Sequence, residues 1–474
     1  MTHKTRTEDP VHISVSEASF RDPSGFVFTH DNTLYRQVNT SYRDAYQALI
    51  RSGLYEWLVN KSMLIPHETV NGPVADEGRC WRIIRPAPIP FISYPYEWCF
   101  SQLKDAALLT LDIQRAAIEH GMCLKDASAY NIQFQNGRPV LIDTLSFERY
   151  TEGQPWMAYR QFCQHFLAPL ALMAKADIRL NTLLTAFIDG IPLDLTSALL
   201  PRTTWFRAGL LMHLHLHAIT QKKYAANPPS ETGKTAKTRY ISKTGYTGIV
   251  ESLRKTVQKL DWQPGGTEWG DYYNDTNYSD NAFEEKKALV RQFLAQARPG
   301  DVWDLGANTG VFSRIATTMG TPTVSCDIDP AAVEINYRQV RQQQETLLLP
   351  LLLDLTNPSP GLGWDGNERD AFSRRGPADC IMALALIHHL SISNNVPFDK
   401  VARFFQTLCK HLIIEFIPKE DSQVRRLLSH RADIFQAYDR QHFEAAFAGY
   451  FTITQARQIR NSDRTLYLMQ ARGQ

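Results

Sequence analysis

Hydrophobic and polar positions are arranged differently in the two halves of this chain. After about residue 248, short apolar runs alternate with segments whose apolar residues recur every three or four positions. The runs predict strands and the spaced segments predict helices, and their alternation predicts an α/β fold with a mostly parallel sheet. The last two runs, at 451–459 and 465–471, leave no room for a helix between them. They predict an antiparallel hairpin at the edge of a seven-stranded sheet.

The first half shows strands first and helices later, which predicts an α+β domain. A hairpin with an Asp-Asn-Thr turn opens it, and a second pair of short strands flanks the Asn136–Gly137 turn. The other predicted elements are a helix at 41–59, strands at 80–86 and 90–96, a helix ended by Gly121, and helices beyond Trp156.

A change in composition separates the two halves. Residues 221–247 contain Pro-Pro, glycine, serine, threonine and several lysines, with little apolar periodicity, which is typical of a linker. We therefore predict an α+β domain at 1–220, a linker at 221–247 and an α/β domain at 248–474. A chain of 474 residues is long enough for two or three domains.

Charge and cysteine content exclude several classes of protein. The formal net charge is +2, which argues against a dominant surface for nucleic acid or anionic membrane. Seven widely spaced cysteines without a C-x-x-C pair predict reduced thiols in a cytoplasmic protein. No apolar stretch is long enough to span a bilayer, and the first residues carry no secretory signal. Oligomeric state cannot be read from these features.

A glycine-containing turn follows the first strand of the α/β half. Asp304 stands near the end of the strand VWDL, and Gly306, Asn308 and Gly310 lie between this strand and the helix VFSRIATTM. Such a turn presents free backbone N–H groups at the carboxyl edge of the sheet, where ligands bind. The glycines permit a tight turn and close approach of a ligand.

Two more acidic residues end the next two strands. Asp327 follows the strand TVSC and can accept hydrogen bonds from two neighbouring ribose hydroxyls. Asp354 follows the apolar run LLLPLLL. With the glycine turn, these positions predict a nucleotide-type cofactor site.

These motifs resemble those of class I S-adenosylmethionine (SAM)-dependent methyltransferases. The resemblance covers about 245–474 and rests on DLGANTG, CDIDP, LDL and ALALIHHL. It implies a Rossmann-like fold in which Asp304 lies by the methionine part of SAM, with Gly306 and Gly310 packed against it. It also implies that Asp327 holds the ribose and Asp354 reads the adenine amino group. Asn308 stands where many members have a glycine.

Two histidines follow the fourth strand of this half. His388 and His389 stand in a segment that resembles the one facing the transferred methyl group in small-molecule and lipid members of the family. Imidazole titrates near neutrality, so either could deprotonate a hydroxyl acceptor. Packing or helix capping is the alternative. An aromatic cluster upstream, Trp269–Tyr273 with Tyr278, is a candidate lid for the cofactor or a hydrophobic collar.

In the first half, Asp126 is followed by Asn131 and, after a short hairpin, by Asp143, while Arg36 lies in the opening hairpin. These positions resemble a degenerate protein-kinase-like fold, in which Asp126, Asn131 and Asp143 match the catalytic and metal-binding loops and Arg36 stands where the family has its phosphate-pairing lysine. The resemblance implies a possible ATP and Mg²⁺ site at these residues. A leucine replaces the usual histidine at Leu124, and the hairpin lacks a glycine-rich loop, so a binding or scaffolding role is an alternative to phosphotransfer.

No firm metal site is predicted. His213 and His217 would share one face of a helix, but no acid or cysteine completes a ligand set.

The predicted function is methyl transfer from SAM to a small-molecule, saccharide or glycolipid acceptor. The arrangement of the whole chain resembles bacterial proteins grouped with a nodulation-type methyltransferase and associated with glycans. Three alternatives remain at this stage: a bifunctional kinase-methyltransferase, a non-catalytic kinase-like scaffold fused to a protein or nucleic-acid methyltransferase, and a non-enzymatic binding module.

Overall fold

A computed structural model of the chain describes residues 13–226, 240–265, 280–429 and 432–473. Part of the predicted linker and the aromatic cluster Trp269–Tyr278 lie outside the described residues. Among the helices that are described, none is both long enough and apolar enough to cross a lipid bilayer.

The chain begins with a five-stranded antiparallel sheet in the order β1-β2-β3-β5-β4. Its strands are β1 Ile13–Val15, β2 Gly25–His30, β3 Thr33–Asn39, β4 His67–Val70 and β5 Cys80–Pro86. Asp31 and Asn32 form the predicted turn with φ of 47° and 58°, a conformation that short polar side chains tolerate.

Two helices stand where the pattern predicts one. α1 Arg43–Arg51 and α2 Leu54–Asn60 are separated by Gly53, whose φ of 75° is incompatible with a continuous right-handed helix.

The prediction of a strand at 90–96 is wrong. This stretch is extended and ends in a short turn at Pro95–Glu97. Pro90 and Pro95 lack the N–H group that a strand ladder needs, and the Glu97 carboxylate accepts a 3.0 Å hydrogen bond from the backbone N–H of Tyr94.

The rest of the first half is mainly helical and includes two small antiparallel sheets, in which β6 pairs with β9 and β7 pairs with β8. The elements are α3 Phe100–Glu119, β6 Met122–Leu124, β7 Ile132–Gln135, β8 Arg138–Leu141, β9 Phe147–Arg149, α4 Tyr159–Phe162, α5 Ala168–Lys175, α6 Leu183–Ala186, α7 Leu193–Leu199, α8 Ala208–Leu210 and α9 Leu216–Ala226. An antiparallel sheet followed by an extended connection and a helical lobe is the order expected of a kinase-like fold.

The boundary predicted at 247/248 falls inside a helix, α10 Lys243–Lys259. This helix packs on α3 of the first half. Arg254 bonds Asp112 at 2.9 Å, and the Gln114 amide donates to the Tyr246 hydroxyl at 2.9 Å. By packing, residues up to about Leu260 therefore go with the first half.

The second half forms a seven-stranded sheet in the order β12-β11-β10-β13-β14-β16-β15. Its strands are β10 Val302–Leu305, β11 Thr323–Asp327, β12 Leu348–Leu352, β13 Ala378–Ala383, β14 Cys409–Phe416, β15 Phe451–Gln458 and β16 Thr465–Ala471. β10 to β14 run parallel, and β16 pairs antiparallel with β14 and β15. The predicted mostly parallel sheet with an antiparallel edge hairpin is confirmed.

Helices surround this sheet: α11 Asp280–Ala297, α12 Ser313–Thr318, α13 Pro330–Gln343, α14 Phe398–Leu408, α15 Ser422–Leu428 and α16 Arg440–Ala448.

The hydrophobic core continues from one half into the other. Phe91 packs edge-on against Trp303 at 5.3 Å between ring centroids, and Phe134 does so against Tyr337 at 5.9 Å. The two halves are therefore packed together rather than joined only through the linker.

Candidate functional site

A cavity of about 350 Å³ opens at the carboxyl ends of β10 to β13. In an α/β sheet, loops at these ends meet and form the ligand crevice. Its walls combine three acidic side chains, the backbone of the glycine turn and apolar side chains. The residues that line it include Phe283, Lys286, Asp304, Gly306, Ala307, Asn308, Phe312, Asp327, Ile328, Asp354, Leu355, Thr356, Leu386, His389, Ser393, Asn394 and Leu427. Five of the six predicted cofactor residues line this one cavity.

The glycine turn has the backbone conformation that its sequence predicts. Gly306 has φ +78°, and an added Cβ would lie 3.2 Å from Leu386. The Gly306 and Ala307 N–H groups donate to the Cys326 carbonyl at 2.8 and 2.9 Å, and the Asn308 N–H donates to Asp327 at 2.7 Å. These bonds hold the turn against the tip of β11.

Gly310 is the exception among the six residues, because it does not line the cavity. It has φ +79°, and an added Cβ would lie 2.6 Å from the Asn336 amide. Its role in the fold is to let the turn pass close to α13.

Asp304 and Asp327 are buried at the base of the cavity. Ser313 donates a 2.6 Å hydrogen bond to Asp304, and burial raises the pKa of Asp304 to about 7. Asp327 accepts from the backbone N–H groups of Asn308 and Asp329, at 2.7 and 2.9 Å, yet burial raises its pKa to about 6. A cationic amino group or ribose hydroxyls would favour the charged forms.

Asp354 also lines the cavity and is oriented by its own turn. Its Oδ1 accepts from the N–H and the hydroxyl of Thr356, at 2.8 and 2.6 Å. Its second carboxylate oxygen is available to accept from an amino group in the cavity.

The structure distinguishes the two histidines. His389 lines the cavity, whereas His388 is buried and does not. Their rings lie 4.1 Å apart between centroids. Burial lowers the pKa of His389 to about 4 and that of His388 well below its usual range, so both rings are neutral at pH 7.

Sequence reasoning missed Lys286, the cation at the cavity wall. Its Nζ lies 2.7 Å from Glu415 Oε2 and 4.6 Å from the centre of the Phe312 ring. The sequence did contain a signal for this residue, because Lys286 is a charged position on the apolar face of α11, between Ala282 and Val290. Desolvation lowers the pKa of this lysine.

Two charged residues at the end of β14 and just after it, Glu415 and Lys419, lie near this edge of the sheet in sequence. Glu415 is buried against Lys286, and Lys419 bonds Asp433 at the surface, so neither lines the cavity.

The kinase-like residues come together in the first half but bond to one another. Arg36 Nη1 lies 2.6 Å from Asp143 Oδ1, which also accepts from the Leu145 N–H at 2.9 Å. The other oxygen of Asp143 accepts from the Ser146 hydroxyl at 2.5 Å. Both carboxylate oxygens therefore already have donors.

Asp126 and Asn131 flank this pair. Asp126 Oδ1 accepts from the Ser128 N–H and the Gln161 amide at 2.9 and 2.8 Å, and burial raises the pKa of Asp126. The Asn131 amide donates to Ser146 at 3.3 Å.

A magnesium–nucleotide complex would have to displace the contacts that Asp143 makes with Arg36 and Ser146. Within the described ranges, no three His, Cys, Asp or Glu side chains are grouped as metal ligands. His213, considered as a ligand from its spacing, bonds the hydroxyls of Tyr159 and Ser252 at 2.7 and 2.9 Å.

Comparison with known proteins places these features in a family. Residues 278–454 match a methyltransferase domain model. The nodulation protein NoeA of Rhizobium meliloti (strain 1021) is 34% identical over 459 residues, which cover 95% of this chain and 94% of NoeA.

Two solved structures show more distant similarity. The magnesium protoporphyrin IX methyltransferase ChlM from Synechocystis PCC 6803, with bound SAH, is 15% identical, covering 43% of this chain and 92% of its own, with a TM-score of 0.30. The bifunctional kinase-methyltransferase WbdD is 15% identical, covering 45% of each chain, with a TM-score of 0.29.

Proposed function

This chain belongs to the family of the nodulation protein NoeA and is a SAM-dependent methyltransferase, and we propose that it methylates a hydroxyl group of a saccharide or glycolipid. The observation that carries the assignment of the site is the convergence of Asp304, Gly306, Asn308, Asp327 and Asp354 on one cavity. These residues are far apart in the sequence, and they come together because the carboxyl ends of parallel strands lie at the same edge of the sheet.

The cavity offers a partner for each part of SAM. The Asp304 carboxylate suits the methionine ammonium, and Lys286, beside it, suits the methionine carboxylate. Asp327 suits the ribose hydroxyls, and Asp354 suits the adenine amino group. Gly306 lets the turn pack closely against Leu386 of the cavity wall, because an added Cβ would lie 3.2 Å from that side chain.

His389 is the residue of the histidine pair that can meet the acceptor. Bound SAM supplies a methyl group on a sulfonium whose departure as a thioether needs no acid. His389 then accepts the proton of the acceptor hydroxyl as the new oxygen–methyl bond forms. Because the pKa of His389 lies at about 4, the ring is in its basic form throughout neutral pH.

The neighbours of His389 support an uncharged acceptor. Ser393 and Asn394 add polar groups at this end of the cavity, beside the apolar side chains of Leu390 and Leu427. Hydroxyl and amide groups bond sugar hydroxyls, and apolar side chains pack against sugar C–H faces. The near-zero net charge does not favour nucleic acid.

Calorimetric titration of S-adenosylhomocysteine (SAH) tests the cofactor site. We expect wild-type binding in the micromolar range, about −8 kcal/mol. Asp327→Ala should weaken it at least about tenfold, because the ribose hydroxyls lose a charged acceptor. Asp463→Ala, at an exposed turn residue outside the cavity, is the matched control and should bind as the wild type does. No binding by folded wild-type protein would overturn the site.

A screen with methyl-labelled SAM tests the acceptor class. Oligosaccharides and glycolipid extracts should take up label, and His389→Gln should reduce the uptake while leaving SAH binding intact. Label incorporated only into protein or nucleic acid would overturn the saccharide assignment.

A further inference from the structure

One wall of the cavity belongs to a long segment that contacts the first half of the protein. Residues 353–377 connect β12 to β13, and we call them the connecting segment. It begins with cavity-lining residues, Leu353 to Thr356, and then leaves the cavity and passes over the first half. Its only regular structure is two short turns, at Trp364–Gly366 and Phe372–Arg374.

Both ends of the connecting segment bond to one carboxylate of the first half. Ser359 donates its hydroxyl proton to Glu97 Oε1 at 2.6 Å. Arg375 places its two terminal nitrogens 2.8 Å from Oε2 and 2.5 Å from Oε1 of the same residue. The Glu97 and Arg375 side chains are only 3% and 4% exposed, so this bidentate pair is withdrawn from water.

Glu97 is itself held in place. It belongs to the stretch Tyr94–Trp98, in which Pro95–Glu97 form a turn, and its Oε2 accepts from the Tyr94 N–H at 3.0 Å. The Tyr94 hydroxyl accepts in turn from the backbone N–H of Asp370, at 2.8 Å, in the middle of the connecting segment. This stretch therefore contacts the segment at its start, its middle and its end.

The link from Glu97 to the cavity is short. Ser359 lies three residues after Thr356, and the Asn357 N–H donates to the Asp354 carbonyl at 3.1 Å. Thr356 in turn donates twice to the Asp354 carboxylate. A displacement of Ser359 would therefore be passed through one hydrogen-bonded turn to Asp354.

We propose that Glu97 of the kinase-like half is a positioning residue for the cofactor, because it fixes the wall that carries Asp354 to Thr356. This inference rests on the proposed cofactor site. It gives the first half a role that needs no phosphotransfer: without Glu97, the connecting segment would lose its bonds through Ser359 and Arg375, and holding the wall in place would cost more conformational entropy.

Calorimetry with SAH and with adenosine tests the proposal on the full chain. Glu97→Gln should weaken SAH binding about tenfold, because Arg375 loses its charged partner and releases the segment. Ser359→Ala removes one hydroxyl contact only and should weaken binding about threefold. Adenosine binding should fall by the same factors, since the wall faces the adenosine part of the ligand.

Asp105→Asn is the matched control. Asp105 also contacts the second half, through the Tyr337 hydroxyl at 2.8 Å and Arg341, but those residues lie outside the cavity. A purely structural interface contact should lower the thermal midpoint while leaving SAH affinity within about twofold of the wild type.

Three outcomes separate the possibilities. Weakened binding in Glu97→Gln and Ser359→Ala, but not in Asp105→Asn, supports the proposal. Wild-type affinity in both of the first two variants overturns it, and Ser359→Ala decides alone if Glu97→Gln does not fold. Absence of SAH binding by the wild type overturns the proposed cofactor site instead, which is a distinct result.

Discussion

Lys286 and Glu415 form an ion pair of 2.7 Å in which the two side chains are 3% and 0% exposed. The same oxygen of Glu415 accepts from the Ala385 N–H at 2.8 Å, directly after β13. The pair therefore joins α11 to the carboxyl ends of β13 and β14, where the cavity lies.

This pair predicts a strongly non-additive response to mutation. Glu415→Gln should lower the free energy of unfolding by about 3 kcal/mol, because it leaves the buried lysine without its charged partner. The double variant Lys286→Met/Glu415→Gln should recover most of that loss, since an apolar side chain suits the Phe312 neighbourhood. Urea unfolding of the two single variants and the double variant measures the coupling, and strictly additive losses would contradict it.

Gly310 and Gly320 both have a positive φ but differ in the space around the missing Cβ, so their alanine variants can be compared directly. Gly320→Ala should cost about 1 kcal/mol, because φ is +86° but no atom lies within 4 Å of the added Cβ. Gly310→Ala should cost at least about 2 kcal/mol, since φ is +79° and the Cβ would lie 2.6 Å from Asn336. Chemical unfolding of both variants gives the comparison. Equal losses would show that the turn relaxes away from α13.

The buried Asp304 predicts a pH dependence of stability. Burial raises the pKa of Asp304 to about 7, against about 4 in an unfolded chain. Between these values the folded protein holds a proton that the unfolded chain has released. The free energy of unfolding therefore falls as pH rises from 4 to 7, and the contribution is fully present only below about pH 4.

Asp304→Asn cannot titrate and should lack this fall. Relative to the wild type, its stability should rise by a few kcal/mol between pH 4.5 and 7.5 in the absence of ligand. Urea unfolding at three pH values tests the difference, and a constant offset between the two proteins would contradict the assignment.

In the first half, the residues that match the kinase loops bond to one another, and this arrangement predicts that nucleotide does not stabilise the protein. Because Arg36 is already ion-paired with Asp143, millimolar ATP with Mg²⁺ should leave the thermal midpoint of the wild type unchanged. SAH, in contrast, should raise the thermal midpoint. Asp143→Ala should be destabilised by about 2 kcal/mol, because the mostly buried Arg36 loses its 2.6 Å partner and keeps only the 3.5 Å contact with Asp22. A midpoint raised by Mg·ATP in the wild type but not in Asp143→Ala would instead revive the bifunctional alternative.

The sequence by itself determined the elements whose formation is local. Apolar runs predict the five parallel strands β10 to β14 of the second half, because a strand covered on both sides needs apolar side chains on both faces. The turn at Asn136–Gly137 forms as predicted, with φ of 53° and 70°, since those residue types tolerate this conformation. In a parallel sheet all such strand ends meet at one edge, so Asp304, Asp327 and Asp354 could be assigned to one site.

Only the tertiary structure decided which side chains bond to which. The pairs Lys286–Glu415, Arg36–Asp143 and Glu97–Arg375 join residues that are far apart in the chain. The sequence alone does not identify the ion-pair partner of a charged residue. The partner depends on how distant elements pack together and on the free-energy cost of burying an unpaired charge. For that reason the sequence predicted that Asp304, Asp327 and Asp354 would meet at one edge of the sheet, while the bonds from the first half to the connecting segment became visible only in the folded chain.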